Sequence, residues 1–393
     1  MPSPLYIALY TYSTKPRGGV VHTLQLAEAL QRAGQEVHVY ALGKDEPPSF
    51  FRPTTVPYTL IPFVKDPDET IETRVARFID TYYRFLTEHD LSSHDIHHAQ
   101  DCISANALWR LREAGRLGFF VRTVHHIDDF VSPALIECQN NSVLRPDYRI
   151  VVSAYWQARL RAEFGVRAQV IHNGVDTGRF RLPAEPDDQA ALKAEFDLDG
   201  RRVFLTIGGI EPRKNTLGIL EAFARARTNL LARGEDAALV IAGGETLFDY
   251  SPYRAEFFAA LERERLSLER EVRFLGPVAD EVVTRLYHLA DCLAFPSLRE
   301  GWGLVVLEAL ASGLPVIASD ISVFREYLRH GENALLVPPE SAERIAAAMI
   351  EVTDDEELAA RLRHAGRQTA LAFSWDRTAQ RHIEIYQELL RER

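Results

Sequence analysis

Two glutamates separated by seven residues, Glu300 and Glu308, stand in the run LREGWGLVVLEALASGLPVIASD. Glu308 is flanked by Leu304 to Leu307 on one side and Ala309 to Ala311 on the other. No helical face there is polar, so its carboxylate is costly unless donors satisfy it. No Lys or Arg lies three or four positions away to pair with it. A pair of sugar hydroxyls would suit, as with the acidic residue that grips a ribose in dinucleotide folds. A backbone N–H or a remote Arg would also serve. Glu300 precedes Gly301-Trp302-Gly303, in the loop between an apolar strand and the helix that carries Glu308. A second constellation is Arg213-Lys214, just after the strand Val203 to Ile207 and before a helix. Two cations at such a place form a phosphate site and would stabilise a leaving diphosphate; the plain alternative is a solvated surface pair. His125 ends another strand, where it can donate to a sugar hydroxyl or be a structural hydrogen-bonded histidine. Gly18-Gly19 opens a helix, letting backbone N–H groups approach a phosphate; the alternative is an ordinary tight turn.

These residues need strand ends and helix starts to position them. Leu293 to Phe295, the helix from Leu304 stopped by Gly313, and Pro315 to Ser319 spell a parallel βαβ unit. A first strand over Leu5 to Tyr10, a helix from Gly18 ended by Gly34, and a strand over Val37 to Ala41 spell another. No G-x-G-x-x-G is present, so this is not a dinucleotide fingerprint. The segment 181–200 turns to Pro and acidic residues, after which the strand–helix pattern restarts. The expected domains are 1–185, with 375–393 packing back on it, and 186–374.

The chain has 393 residues, enough for two domains. A net charge of −11 argues against nucleic acid as the main partner. Cys102, Cys138 and Cys292 are scattered and lack metal spacing, which fits a reduced, cytoplasmic compartment. The N-terminus reads as a strand rather than a signal peptide, and no apolar run is long enough for a membrane span.

The stretch from Pro296 to Asp320 resembles the signature of the retaining GT-B glycosyltransferases of family four, the glycogen-synthase-like clan, which carry two glutamates at the spacing of Glu300 and Glu308. The likeness extends along the chain through Asp95 to His98 and through Asn173-Gly174-Val175-Asp176 to Phe180. It implies an α/β fold of two Rossmann-like domains facing each other across a cleft, with a C-terminal helix crossing back to the first. It implies a retaining transfer of a hexosyl group from a UDP- or GDP-linked sugar to an acceptor hydroxyl, with no cofactor beyond the nucleotide sugar. In that scheme Glu308 holds the ribose, and Arg213 and Lys214 neutralise the diphosphate under the Gly18-Gly19 loop. Glu300 and the backbone of Gly301, Trp302 and Gly303 orient the donor sugar, the turn with Gly276 and Val278 holds the base, and His125 lies near the sugar. The family usually has an Arg five residues before Lys214, where this chain has Gly209; Arg213 is the candidate replacement. Charge neutralisation by these cations would remove the need for a metal. Asp66-Pro67-Asp68 and Asp197-Leu198-Asp199 fall in Pro-rich or linker segments, against a metal-dependent alternative. The acceptor, whether small molecule, glycan or lipid-linked sugar, is not implied. A GT-B-type phosphorylase, a sugar-nucleotide epimerase and a non-catalytic binding module are the competing readings.

Overall fold

The computed structural model describes residues 3–43, 49–64, 66, 68–182, 188–244 and 250–393. The chain divides into two units, Met1–Gly174 with Trp375–Arg393, and Val175–Ser374.

In the first unit, apolar runs closed by Gly or polar turns become strands, and the stretches between them become helices. The order is β1 (Tyr6–Thr11), α1 (Gly18–Arg32), β2 (Glu36–Gly43), β3 (Tyr58–Pro62), α2 (Ile71–Thr87), β4 (Ile96–Ala99), α3 (Cys102–Glu113), β5 (Val121–Val124), α4 (Pro133–Leu144), β6 (Tyr148–Val151), α5 (Ala154–Phe164) and β7 (Gln169–Val170). The seven strands pair in parallel in the order β3-β2-β1-β4-β5-β6-β7. Sheets of this kind are covered on both faces, which is why β1 is buried from Ile7 to Thr11 rather than alternating. α2 buries Val75, Phe78, Tyr82 and Leu86, a stripe at helical spacing. Tyr82 turns its hydroxyl to the carbonyls of Thr11 and Tyr40, at 2.6 and 2.7 Å, so its polar end costs nothing in the core. α4 was not legible in the sequence: it buries only Leu135, Cys138, Ser142 and Val143, and Gln139, Asn140 and Asn141 blur any apolar stripe.

The second unit repeats the plan: α6 (Asp188–Glu195), β8 (Arg201–Ile207), α7 (Thr216–Leu231), β9 (Asp236–Ala242), α8 (Ser251–Arg263), β10 (Val272–Gly276), α9 (Asp280–Leu289), β11 (Cys292–Phe295), α10 (Leu304–Ala311), β12 (Val316–Ser319), β13 (Leu335–Val337), α11 (Ala342–Asp354) and α12 (Glu356–Leu371). Its six parallel strands run β10-β9-β8-β11-β12-β13. One core joins Phe204, Ile219, Phe223, Leu239 and Ile241 to Phe257, Ile345 and Met349. The last helix, α13 (Trp375–Arg391), belongs to the first unit and packs on α1.

Both sheets are doubly wound, and each reverses strand order once: between β1 and β4, and between β8 and β11. Ligands of such sheets bind outside the carboxyl ends of the strands at these reversals. The expected boundary at 185/186 lies outside the described residues, but the chain already changes unit after Gly174. The physical reason is visible just beyond: Val175 bridges to Ser374, Arg179 pairs with Asp280, and Phe180 packs edge-on against Tyr287. Among the described residues no helix is long and apolar enough to cross a membrane.

Candidate functional site

The β8/β11 reversal brings together Arg213, Lys214 and Glu300, while Glu308 has partners of its own. After β8 the chain forms Gly208-Gly209 and a short 3-10 turn over Pro212–Lys214, and Asn215 then adopts a left-handed φ of 58° before α7. After β11 comes the loop that holds Glu300. The two loops are stitched together: Leu298 N–H donates to the Arg213 carbonyl at 2.9 Å, and the Asn215 amide donates to the Pro296 carbonyl at 3.1 Å. This brings Lys214 Nζ to 2.5 Å and Arg213 Nη1 to 3.2 Å from the same carboxylate oxygen, Oε1 of Glu300. Glu300 is 6% exposed. Lys214 also lies 4.4 Å from the centre of the Phe295 ring, and burial pulls its pKa down against the opposing pull of Glu300. Both cations are therefore engaged with protein carboxylates rather than solvated. Glu211 completes the cluster: it is 4% exposed and pairs with Arg213 Nη2 at 3.3 Å. Sequence reading passed over Glu211, although it stands two residues before Arg213.

Gly209 has a plain steric reason. A Cβ there would lie 2.3 Å from the Gly244 carbonyl oxygen, and one on Gly243 would lie 2.4 Å from the Gly208 carbonyl carbon. The ends of β8 and β9 approach so closely that no side chain fits at 209. The guanidinium at this reversal comes from Arg213 instead. Gly276, at the end of β10, takes φ 64°, its carbonyl accepts from Gly243 N–H at 2.8 Å, and half-buried Val278 follows in the same turn.

Gly303 has φ 89°, and a Cβ there would meet Phe324 Cε1 at 2.6 Å, so only glycine turns the loop into α10. Trp302 is 2% exposed and stacks obliquely on Tyr327, 4.7 Å between ring centres; Tyr327 donates its hydroxyl to the Trp302 carbonyl at 2.8 Å. The indole thus anchors the loop. Glu308, on α10, is half-buried, and Tyr287 donates its hydroxyl to Oε2 at 2.9 Å. Burial pushes the Glu308 pKa up to about 7, against the lowering by Tyr287 and Arg179. Neither partner could be found by helical spacing, because both come from elsewhere in the chain.

In the first unit Gly18 and Gly19 open α1, whose preceding residue Arg17 makes no side-chain cap. His125 follows β5 directly. A Cβ on Gly19 would lie 3.8 Å from the His125 ring, an ordinary contact, so the imidazole sits directly beside the helix start. His22, one turn along α1, meets His125 edge-on at 4.6 Å and Trp375 at 5.3 Å, and its Nδ1 lies 2.9 Å from Asn173 Oδ1. Burial holds both histidines below their usual range, so they are neutral at pH 7. Asp128 lies 3.4 Å from His126 in the loop before α4, whose N-cap is Ser132.

Known proteins share this plan. Residues 188–369 match the family model "Glycosyl transferases group 1", and residues 16–179 match "Glycosyltransferase Family 4". The chain is a family-four glycosyltransferase of the GT-B type. Its relatives include the D-inositol 3-phosphate glycosyltransferase of Rhodococcus jostii, 27% identical over 98% of this chain and 89% of the relative. An uncharacterized glycosyltransferase of Methanocaldococcus jannaschii is 25% identical over 97% of both chains. Among solved structures, the sucrose-phosphate synthase of Thermosynechococcus elongatus superposes with a TM-score of 0.80 at 22% identity, covering 99% of this chain and 100% of its own. Anabaena HepE in complex with UDP and glucose gives 0.77 at 20% identity, covering 98% and 100%. For this glycosyltransferase the structural likenesses carry the fold: two Rossmann-like α/β units.

Proposed function

We propose that this glycosyltransferase takes a hexosyl group from a nucleotide sugar, UDP- or GDP-linked, held at the β8/β11 reversal, and passes it to an acceptor hydroxyl with retention of configuration. The observation that carries the donor reading is the convergence of Arg213 and Lys214 on Glu300 Oε1. A diphosphate offers these cations stronger charge-assisted bonds than one shared carboxylate. As the sugar leaves, negative charge grows on the diphosphate, and cations already in place stabilise it without reorganisation. That role makes a divalent metal unnecessary. Released from the cations, Glu300 orients the donor sugar with the backbone of residues 301–303. Glu308 takes the ribose hydroxyls, and the Gly276–Val278 turn faces the base. In the first unit, the Gly18-Gly19 start of α1 serves the diphosphate and His125 the sugar. The UDP-glucose complexes of HepE favour UDP over GDP. The name of the Rhodococcus relative supplies an acceptor class, a phosphorylated cyclitol.

A thermal-unfolding panel of UDP-, GDP- and ADP-sugars tests this on the wild type and on Glu308→Ala. A ligand at 100 times its Kd stabilises by about 2.7 kcal/mol. One nucleotide should raise the Tm of the wild type by a few degrees and that of the variant by much less. No shift with any nucleotide would overturn the donor site and turn attention to sugar phosphates and a phosphorylase.

A further inference from the structure

Apart from the Gly18-Gly19 start of α1, the β1/β4 reversal of the first sheet carries charged groups that the donor reading does not use. The loop after β1 supplies Tyr12 and Arg17, the turn after β4 supplies Gln100 and Asp101, and neighbouring β5 supplies Arg122. Arg122 is 6% exposed, and neither its Nε nor its Nη1 has a hydrogen-bond partner among the described residues. Burying a guanidinium without a counter-charge is among the costlier arrangements a fold can hold. Asp101 is the carboxylate whose charge bears most on it. Yet the two Asp101 oxygens are committed to backbone, accepting from Tyr12 N–H at 2.7 Å and Ser104 N–H at 2.8 Å. Burial also raises the Asp101 pKa, which weakens it further as a counter-ion.

Other groups at this edge point the same way. Arg17 donates from Nη1 to the Tyr12 hydroxyl at 2.5 Å, while its buried Nε has no partner among the described residues. Gln100 is 1% exposed, and both its amide atoms are buried without a partner among the described residues. The 12-residue α3 also starts here, at Cys102, with Asp101 as its cap. Two guanidinium groups thus share this edge with one carboxylate, Asp101, that is already bonded to backbone.

We propose that this edge of the first unit binds an anionic group of the acceptor, a phosphate or a carboxylate, with Arg122 as its main counter-charge and Arg17 and Gln100 as further donors. This rests on the assignment of the donor diphosphate to Arg213 and Lys214 in the other unit. The same chemistry could come from the donor's own diphosphate, so the test separates the two.

The wild type is saturated with UDP and titrated with inorganic phosphate at constant ionic strength, following thermal unfolding. Phosphate should raise the Tm further by several degrees. Arg122→Met should weaken the phosphate affinity at least tenfold, and without phosphate it should melt no lower than the wild type, because an uncompensated charge has been removed. Absence of a phosphate effect on the UDP-saturated wild type would overturn the proposal, as would an equal effect in Arg122→Met. If Arg122→Met does not fold, Arg17→Gln decides: a weakened response supports the site and a full response overturns it. If UDP itself gives no shift, the donor reading fails on its own account. Phosphate alone is then titrated into Arg122→Met and Lys214→Met, and a response lost only in Lys214→Met places the anion on the other unit and overturns this site.

Discussion

Glu308 shows how one side chain ties packing to binding. Its helix is apolar, so burial moves its pKa from 4.5 to about 7. Folded, it holds a proton in a window where the unfolded chain has lost it. Between pH 4.5 and about 7 the native state therefore binds more protons, and the ligand-free protein loses stability as pH rises through that window. Ribose hydroxyls donate best to the ionised form. Affinity for UDP-glucose should be flat above pH 7 and fall as pH drops below it, approaching about tenfold per unit. Glu308→Gln should bind more weakly at pH 8 and lose the pH dependence. Calorimetric titrations at pH 5.5, 6.5 and 8 check this, and an unchanged slope in the variant would sink the ribose assignment. UDP-glucose is the better probe here, because a terminal phosphate such as that of UDP titrates near pH 6 itself.

At the scale of elements, the close approach of the ends of β8 and β9 decides which residue can supply a cation. Gly243-Gly244 follows β9, and Gly209 stands where the family arginine is missing. The structure joins the two facts: the Gly244 carbonyl occupies the space a side chain at 209 would need, 2.3 Å from its Cβ. Gly209→Arg should therefore not restore a lost function. It should lower the Tm by several degrees or prevent folding, since backbone rather than a flexible side chain would have to shift. A variant that folds with unchanged Tm and binds donor more tightly would show that the strand ends can part, and that Arg213 is not the replacement.

At the scale of the whole molecule, the chain closes its first unit with its last helix. α13 buries Trp375, Ala379, Ile383 and Tyr386, and the Tyr386 hydroxyl meets His98 Nδ1 at 2.6 Å. Arg32 of α1 reaches Asp376 at 2.7 Å, an exposed pair worth little; the apolar face is what holds. A chain ending at Ser374 should lose cooperative unfolding of the first unit and aggregate, measured by circular dichroism melting and gel filtration. The reason is that the α1 face covered by α13 would be left bare. A truncated chain that melts like the full one would show that the helix is dispensable to the fold.

Much of this was legible in sequence because it is local. Gly313 stopping the helix of Glu308, the glycine pairs at strand ends, and the apolar stripe of α13 are each set by a few neighbouring residues and by periods of two or 3.6. So were the α/β class and the candidates Glu300, Glu308, Arg213 and Lys214, whose types and places imply charge chemistry. What sequence could not supply is whatever depends on strand order. Placing β8 beside β11 sets Arg213 and Lys214 against Glu300, 87 and 86 residues further along the chain. Placing β1 beside β4 leaves Arg122 buried near a carboxylate already bonded to backbone. Tyr287 reaches Glu308 from another helix altogether. No local pattern encodes such meetings, because partner, burial and pKa are properties of packed surroundings: sequence alone determined which groups this protein has for chemistry, and only the tertiary structure decided which of them face one another and at what charge.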